Sequence, residues 1–460
     1  MAGIFKAYDV RGKFPEEINK EIASKTAYAL AKLNNPKKVL ITVDVRQGSE
    51  AVKDGLIQGF LNFNPDISIT FAGITSTPMM YFIFNNSEDD FDVGIVVTAS
   101  HNPKEYTGMK ILTKGSNGIS KFINYESGLD KVEELLKENI SIKEFSTDKI
   151  IKKNYVEEYY NYLENLSKIS DYSSKKKIKL VCDFSNGSPV VYKNFLEKHT
   201  NLISLNDIMD GNFPGHIPNP LEKEAQEQIS EKIKKTGADF GVIFDGDGDR
   251  IIFFDENGNV IDSEKIIYMM IQEMQKENKS VQSIVATINL SRQMNLALEK
   301  INVKTIESRI GYGFVRQHVI ENNATLGAER AAHFSFKETG YTDSSILCIL
   351  YILKLYIESE EKFSSLAKKT GITSYIEEHN VILKSDEQKE FILKKSYELF
   401  RDECNKYSNI DGHLFYYDDY WVNIRQSNTE PKVRITIESK DKETDSKIYK
   451  NILEKLDINN

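Results

Sequence analysis

Six residues constrain this chain more than any others: Asp245-Gly246-Asp247-Gly248-Asp249-Arg250, wedged between the largely apolar runs Ala238 to Phe244 and Ile251 to Phe254. Each run reads as a buried strand, because short apolar stretches rich in β-branched and aromatic residues suit a sheet covered on both faces. Three carboxylates gathered at a strand exit repel one another and raise one another's pKa values. A hard cation resolves that conflict, since Mg²⁺ or Ca²⁺ prefers oxygen ligands, and the glycines let alternate side chains converge. A helix-loop-helix calcium site is excluded, although Glu256 falls twelfth from Asp245: the sixth position is Arg250 rather than Gly, and a strand follows. That strand turns back at Asn257-Gly258, a hairpin signal. A metal site is expected.

A second strand exit carries Thr98-Ala99-Ser100-His101-Asn102-Pro103. The preceding Asp92 to Val97 reads as a buried strand, and Pro103 prevents it from continuing as a central ladder member. Ser100 is thus presented where α/β proteins keep their chemistry, followed by a potential proton carrier, His101, and a neutral hydrogen-bonding group, Asn102. Lys110 lies ten positions further on, in Gly108-Met109-Lys110. Alone, the stretch also fits an ordinary turn.

A chain of 460 residues suggests about three domains, or four smaller ones. Its net charge of −9 argues against a general nucleic-acid or membrane-surface binder, so an anionic ligand needs a locally basic pocket. Cys182, Cys348 and Cys404 are too widely spaced for a disulfide framework or metal knuckle, and Met1 to Lys6 has no apolar core of signal-peptide length. Ile346 to Leu353 is too short to span a bilayer and reads as a buried helix. A reduced cytoplasm is the expected compartment.

Strand and helix alternate along the chain, which argues for α/β layers. Pro15 to Leu33 reads as an amphipathic helix, Val39 to Asp44 and Ser68 to Ile74 as strands, and Pro78 opens a helix. Arg11 and Arg46 read as surface residues by default. Ser127 to Lys177 reads as a solvated helical connector, with Lys175-Lys176-Lys177 facing solvent. After a strand at Ala324 to Leu326 comes Gly327-Ala328-Glu329-Arg330-Ala331-Ala332-His333, where Glu329 and His333 are weak signals taken alone. Beyond about Gly371 the order strand, helix, strand, strand, helix suggests a small α+β domain, with Asp418-Asp419 at a hairpin tip. Within it Arg425-Gln426-Ser427-Asn428-Thr429-Glu430-Pro431, with Arg434 beyond, combines a guanidinium, hydroxyls and an amide that suit a phosphate. An N-capping turn would use some of the same residues.

Taken together and in order, these motifs resemble the bacterial phosphomannomutase/phosphoglucomutase family of the α-D-phosphohexomutase superfamily. Ile4 to Gly12, including Tyr8 and Arg11, is similar to its N-terminal signature, and Thr98 to Pro103 to its phosphoserine loop. Asp245 to Arg250 resembles its metal loop, Gly327 to His333 its sugar-recognition loop, and Arg425 to Pro431 its phosphate-binding loop.

The resemblance implies three similar mixed-sheet α/β domains and a smaller α+β C-terminal domain around a central cleft, divided as residues 1–150, 151–257, 258–370 and 371–460. It implies interconversion of hexose 1-phosphate and hexose 6-phosphate, of mannose or glucose, through a phosphoserine and a bound hexose 1,6-bisphosphate. Ser100, Asp245, Asp247 and Asp249 would hold one Mg²⁺ per chain, and Arg11, His101, Lys110 and Arg250 would serve the transfer, with the acid–base role open between His101 and Lys110. Tyr8, Glu329 and His333 would meet the sugar, while Arg425, Ser427, Asn428 and Thr429 would grip the phosphate not being transferred. Small sugar phosphates are the expected partners, with no nucleic acid or membrane, in a monomer or small homo-oligomer.

The family's sugar loop usually reads Glu-any-Ser-Gly-His, whereas this chain has Ala331-Ala332, so a sugar contact is lost and epimer preference does not follow. Many relatives carry a lysine and a histidine where this chain has Asn289 and Tyr312. Alternatives are a phosphoglucosamine mutase, whose phosphate loop usually has Gly in place of Asn428, a phosphohydrolase with Asp245 as nucleophile, and a non-catalytic sugar-phosphate sensor.

Overall fold

A computed structural model describes residues 3–115, 118–277, 279–383, 385–426 and 432–458. The chain divides into two compact units, Met1–Asn278 with Ala331–Ala367, and Lys279–Arg330 with Lys368–Asn460. Residues 258–370, one α/β block in the sequence reading, therefore contribute to both.

The first unit contains two mixed sheets. One runs in the order Val10–Lys13, Tyr106–Thr113, Val93–Val97, Lys38–Val43, Ser68–Ile74, Ile151–Lys152, with Lys121–Phe122 paired to Tyr106–Thr113. Lys38–Val43 pairs in parallel with both Ser68–Ile74 and Val93–Val97, whereas Tyr106–Thr113 runs antiparallel to Val93–Val97. Every residue of Val93–Val97 is buried, as a continuous apolar run in a covered sheet requires. The second sheet runs Val260–Ile261, Ile251–Phe254, Phe240–Phe244, Lys179–Asp183, Asn201–Leu205, and its Ile251–Phe254 strand turns antiparallel to Phe240–Phe244. Ser345–Ile357 is a buried helix, as its apolar run indicated. Among the described residues no helix is long and apolar enough to cross a membrane.

The second unit carries the parallel strands Lys304–Ser308, Ser283–Thr287 and Leu326–Ala328. It also carries an antiparallel sheet ordered Tyr375–Ile382, Lys432–Ser439, Trp421–Gln426, His413–Tyr416, Lys406–Ser408. Helices Asp386–Phe400 and Lys442–Leu456 supply Ile392, Phe400, Ile452 and Leu456 to a core with Val422, Ile424, Val433 and Ile435.

Several local readings shift. The first helix begins at Lys20, because Asn19 caps it by accepting from the Ile22 N–H. The connector after Ser127 is less solvated than its composition suggests: Ile151–Lys152 adds to the sheet beside Ser68–Ile74, and Val156–Ser167 buries Tyr159 and Leu163. The third-block strand lies at Leu326–Ala328, so Gly327 is within it. The last block has five strands where three were read: Lys406–Ser408 is three residues long and defined by pairing, whereas Lys432–Ser439 alternates apolar and polar residues and carries a local strand signal that the reading passed over.

Candidate active site

The acidic loop leaves Phe244 and doubles back at once into Ile251–Phe254, and this tight return turns Asp245, Asp247 and Asp249 inward. All three are fully buried, and they offer oxygens within 4.8 Å of one another. Gly248 sits at φ +74°, a conformation that costs a residue with Cβ. Gly246 is needed for a different reason: a Cβ there would lie 2.7 Å from the Ser100 carbonyl oxygen. The serine loop and the acidic loop are thus packed backbone to backbone.

Ser100 is buried at φ +50°, and its Oγ donates to Asp245 Oδ2 at 2.8 Å, with His101 Nδ1 at 3.3 Å. Asp245 Oδ1 accepts from the backbone N–H groups of Gly248 and Arg250 at 2.9 and 3.2 Å. Both its oxygens are engaged, which does not suit a carboxylate nucleophile. Burial, with the charges of Asp247 and Asp249, pushes the Asp245 carboxyl well above the usual range.

Lys110 is placed by strand register. It lies opposite Val96 on Tyr106–Thr113, and its buried Nζ donates to Asp247 Oδ2 at 2.7 Å and to Asp249 Oδ2. Thr77 Oγ1 also donates to Asp247 Oδ2, at 2.6 Å. Burial pushes Asp249 up, but Lys110, His333 and Arg250 outweigh it and hold the carboxyl low. Among the described residues Asp247 Oδ1 and Asp249 Oδ1 are buried with no hydrogen-bond partner, His333 Nδ1 standing 3.8 Å from Asp249 Oδ1. Two orphaned carboxylate oxygens in a cluster of three carboxylates fit a hard divalent cation.

The surrounding cations converge on the same place. Arg11, opposite Gly108 in the sheet, donates to Asn102 Oδ1 at 2.6 Å and pairs with Asp9 at 2.5 Å. Arg250 donates from Nε to His333 Nε2 at 2.7 Å, and His333 Nδ1 faces Asp343 Oδ2 at 3.1 Å. Burial and the guanidiniums of Arg250 and Arg11 push the His101 imidazole far below its ordinary range, so it is neutral at pH 7. Tyr8 lies half-buried in the N-terminal turn, where Lys6 N–H donates to Asp9 O.

The second unit holds the remaining expected residues. Glu329 is buried just past Leu326–Ala328 and accepts from the Gly311 N–H at 3.1 Å. It thus falls in a different unit from His333. Arg425 and Arg434 lie directly opposite across their strands and share Glu378, at 3.1 and 2.7 Å. Ser427, Asn428 and Thr429 lie outside the described residues.

Three contacting residues escaped the sequence reading. Arg46, read as a surface residue, is buried and donates to three carbonyls of the serine loop and to that of Tyr106. Thr77 carries only a helix-start signal in Ser76-Thr77-Pro78, and Asp343 carries no local signal.

Models of the phosphoglucomutase/phosphomannomutase family match in chain order: alpha/beta/alpha domain I over residues 2–127, domain II over 157–258, domain III over 262–371 and the C-terminal domain over 373–455. The chain belongs to the phosphoglucomutase/phosphomannomutase family. Its architecture is accordingly three mixed-sheet α/β domains and a smaller C-terminal one, and it is a phosphohexomutase, an isomerase. A phosphomannomutase of Methanocaldococcus jannaschii is 35% identical over 99% of this chain and 98% of its own. An Escherichia coli K12 phosphomannomutase is 30% identical over 95% and 94%. A phosphoglucomutase/phosphomannomutase of Thermococcus kodakarensis is 30% identical over 96% of each. Archaeal and bacterial relatives appear together, so the match establishes the family and not a bacterial branch of it.

In fold, the chain is similar to a Burkholderia thailandensis phosphoglucomutase/phosphomannomutase family protein, with a TM-score of 0.83 at 23% identity over 99% of this chain and 97% of that one. It is also similar to a Paramecium phosphoglucomutase, parafusin, with a TM-score of 0.79 at 16% identity over 100% and 95%. The names of the curated relatives do not favour the phosphoglucosamine mutase, phosphohydrolase or sensor readings.

Proposed function

We propose that this chain interconverts the 1- and 6-phosphates of mannose, glucose or both, with Ser100 as the phosphoryl carrier. The observation that carries this reading is the buried Ser100 hydroxyl hydrogen-bonded to Asp245, within a carboxylate cluster that has two oxygens unsatisfied. Phosphoryl transfer is chiefly positioning and charge neutralisation, and those are what the surrounding groups supply.

In the first half-reaction, a free hydroxyl of the bound hexose phosphate attacks the phosphorus on Ser100. The phosphorus–Oγ bond breaks, Oγ stays with the serine, and a hexose 1,6-bisphosphate results. The hydroxyl proton passes to a group beside the transfer, for which His101, next to Oγ, and Lys110, engaged by two carboxylates, are the two candidates. Arg11 and Arg250 meet the oxygens of the moving phosphoryl group. The intermediate turns over, and its other phosphate returns to Ser100 as the proton is given back.

Asp245, Asp247 and Asp249 would hold Mg²⁺ together with an oxygen on Ser100. When bound, that ion neutralises charge developing on the phosphoryl oxygens. Tyr8, Glu329 and His333 recognise sugar hydroxyls, and Arg425, Ser427, Asn428 and Thr429 hold the stationary phosphate. The four-part division and a monomer or small homo-oligomer belong to the same reading, as does a cytoplasmic location, with which three free cysteines are in keeping.

The test offers mannose 1-phosphate and glucose 1-phosphate together, primed with hexose bisphosphate, and follows both 6-phosphates by phosphorus NMR. Ser100→Ala should abolish both products while sugar-phosphate binding persists. Undiminished turnover by Ser100→Ala would remove the carrier, and the ratio of products reports the preference that Ala331-Ala332 leaves open.

A further inference from the structure

The serine loop is held from beneath by one buried guanidinium. Arg46 Nη2 donates to the carbonyls of Ser100 and Asn102 at 2.7 and 2.6 Å, and Nη1 to those of Pro103 and Tyr106 at 2.7 and 3.0 Å. Four carbonyls of one short segment thus converge on a single planar fork, a pattern that an ammonium cannot reproduce. The fork is itself fixed. Nε forms an ion pair with Asp44 Oδ2 at 3.1 Å, while Asp44 Oδ1 accepts from the Arg46 N–H and the Ser49 hydroxyl. The guanidinium also lies 5.0 Å above the centre of the Phe213 ring.

What this grip holds is an unfavourable backbone. Ser100 sits at φ +50°, in the left-handed region that a residue with Cβ occupies only when its surroundings impose it. Arg46 bonds the carbonyl of the same residue whose Oγ meets Asp245, beside the Ser100 N–H bond to Thr98 Oγ1 at 2.9 Å. Relaxed to an ordinary turn, the loop would carry Oγ away from the carboxylates.

We propose that Arg46 is a positioning residue for phosphoryl transfer: it touches no substrate, and it sets the direction in which Ser100 Oγ leaves the backbone. The inference rests on the reading of Ser100 as the phosphoryl carrier. Displacing a reacting group by about 1 Å costs on the order of 100-fold in rate. Binding of the sugar phosphate by other residues is not affected.

The experiment measures kcat and KM for glucose 1-phosphate, primed with glucose 1,6-bisphosphate, in full-length Arg46→Lys, Asp44→Asn and Ser100→Ala. Arg46→Lys keeps the charge and loses the fork, so kcat should fall on the order of 100-fold with KM within about twofold, in a protein whose circular dichroism matches wild type. A merely structural role for the charge would let lysine rescue kcat, and near-wild-type turnover by Arg46→Lys therefore overturns the proposal. Should Arg46→Lys not fold, Asp44→Asn decides: its looser tether should lower kcat about tenfold without raising KM, and an unchanged kcat overturns the proposal. If Ser100→Ala is itself active, the carrier reading fails; if Ser100→Ala is inactive and Arg46→Lys is not impaired, only the positioning role does.

Discussion

Removing the Lys110 ammonium should make the stability of the acidic loop depend on a divalent cation. Nζ is buried and donates to Asp247 Oδ2 at 2.7 Å and to Asp249 Oδ2, and both carboxylates are fully buried. Deleting one partner of a buried ion pair costs about 3–5 kcal/mol, because the other charge is left uncompensated. In Lys110→Met two carboxylates lose that partner together, beside Asp245. The loss should approach the upper end of the range in chelator-treated protein. A divalent ion at about 100 times its dissociation constant returns about 2.7 kcal/mol. It should bind the variant more tightly than wild type, since the competing ammonium is gone. The assay is urea unfolding by far-ultraviolet circular dichroism, with and without Mg²⁺, and deuterium exchange of peptides covering 240–254. Trp421, the single tryptophan, lies in the other compact unit, so its fluorescence would report the wrong region. Equal stability of Lys110→Met and wild type in chelator, or an equal Mg²⁺ response in both, would refute the electrostatic account.

Arg425→Gln should raise KM about 10- to 100-fold with a smaller effect on kcat, the loss of roughly 1.5–3 kcal/mol from charged hydrogen bonds to phosphate; initial-rate kinetics checks it. Gly246→Ala should reduce turnover while the chain still folds, because its Cβ would press within 2.7 Å of the Ser100 carbonyl oxygen; unchanged kcat would contradict that packing. Ala332 sits at φ +68°, where an L-residue pays about 1–2 kcal/mol, so Ala332→Gly should be neutral or stabilising by up to about 1 kcal/mol in urea titration. Burial pushes His216 down, but its hydrogen bond and charge pairing with Asp183 outweigh that, and its pKa is raised. The stability this contributes is fully present below about pH 6.5 and is lost as pH rises through the folded value. His216→Gln should therefore destabilise more at pH 6 than at pH 9, as urea midpoints at the two values would report.

Local sequence determined where chemistry-bearing residues leave their strands. An apolar run followed by small, polar or acidic residues has few foldings, and Phe244 into Asp245 and Val97 into Ser100 could be read without partners. The sign of the acidic loop's problem was legible for the same reason: like charges separated by single glycines must converge or be solvated, whatever the fold. Boundaries that depend on pairing were less legible. Ile151–Lys152 is a strand only because Ser68–Ile74 has a free edge beside it, and the three-residue Lys406–Ser408 owes its place to pairing with His413–Tyr416.

Tertiary structure alone decided which charges meet. Lys110 and Asp247 are 137 positions apart, and nothing near either indicates that a strand register brings them together. Arg46 shows the limit most clearly, since an arginine after a strand is ordinarily solvated, and only the return of residues 100–106 over it supplies the carbonyls that make burial favourable. Residue type and spacing set what each group can do, because those properties are covalent and local. Whether it does so depends on desolvation and on partners, which exist only once distant strands have aligned.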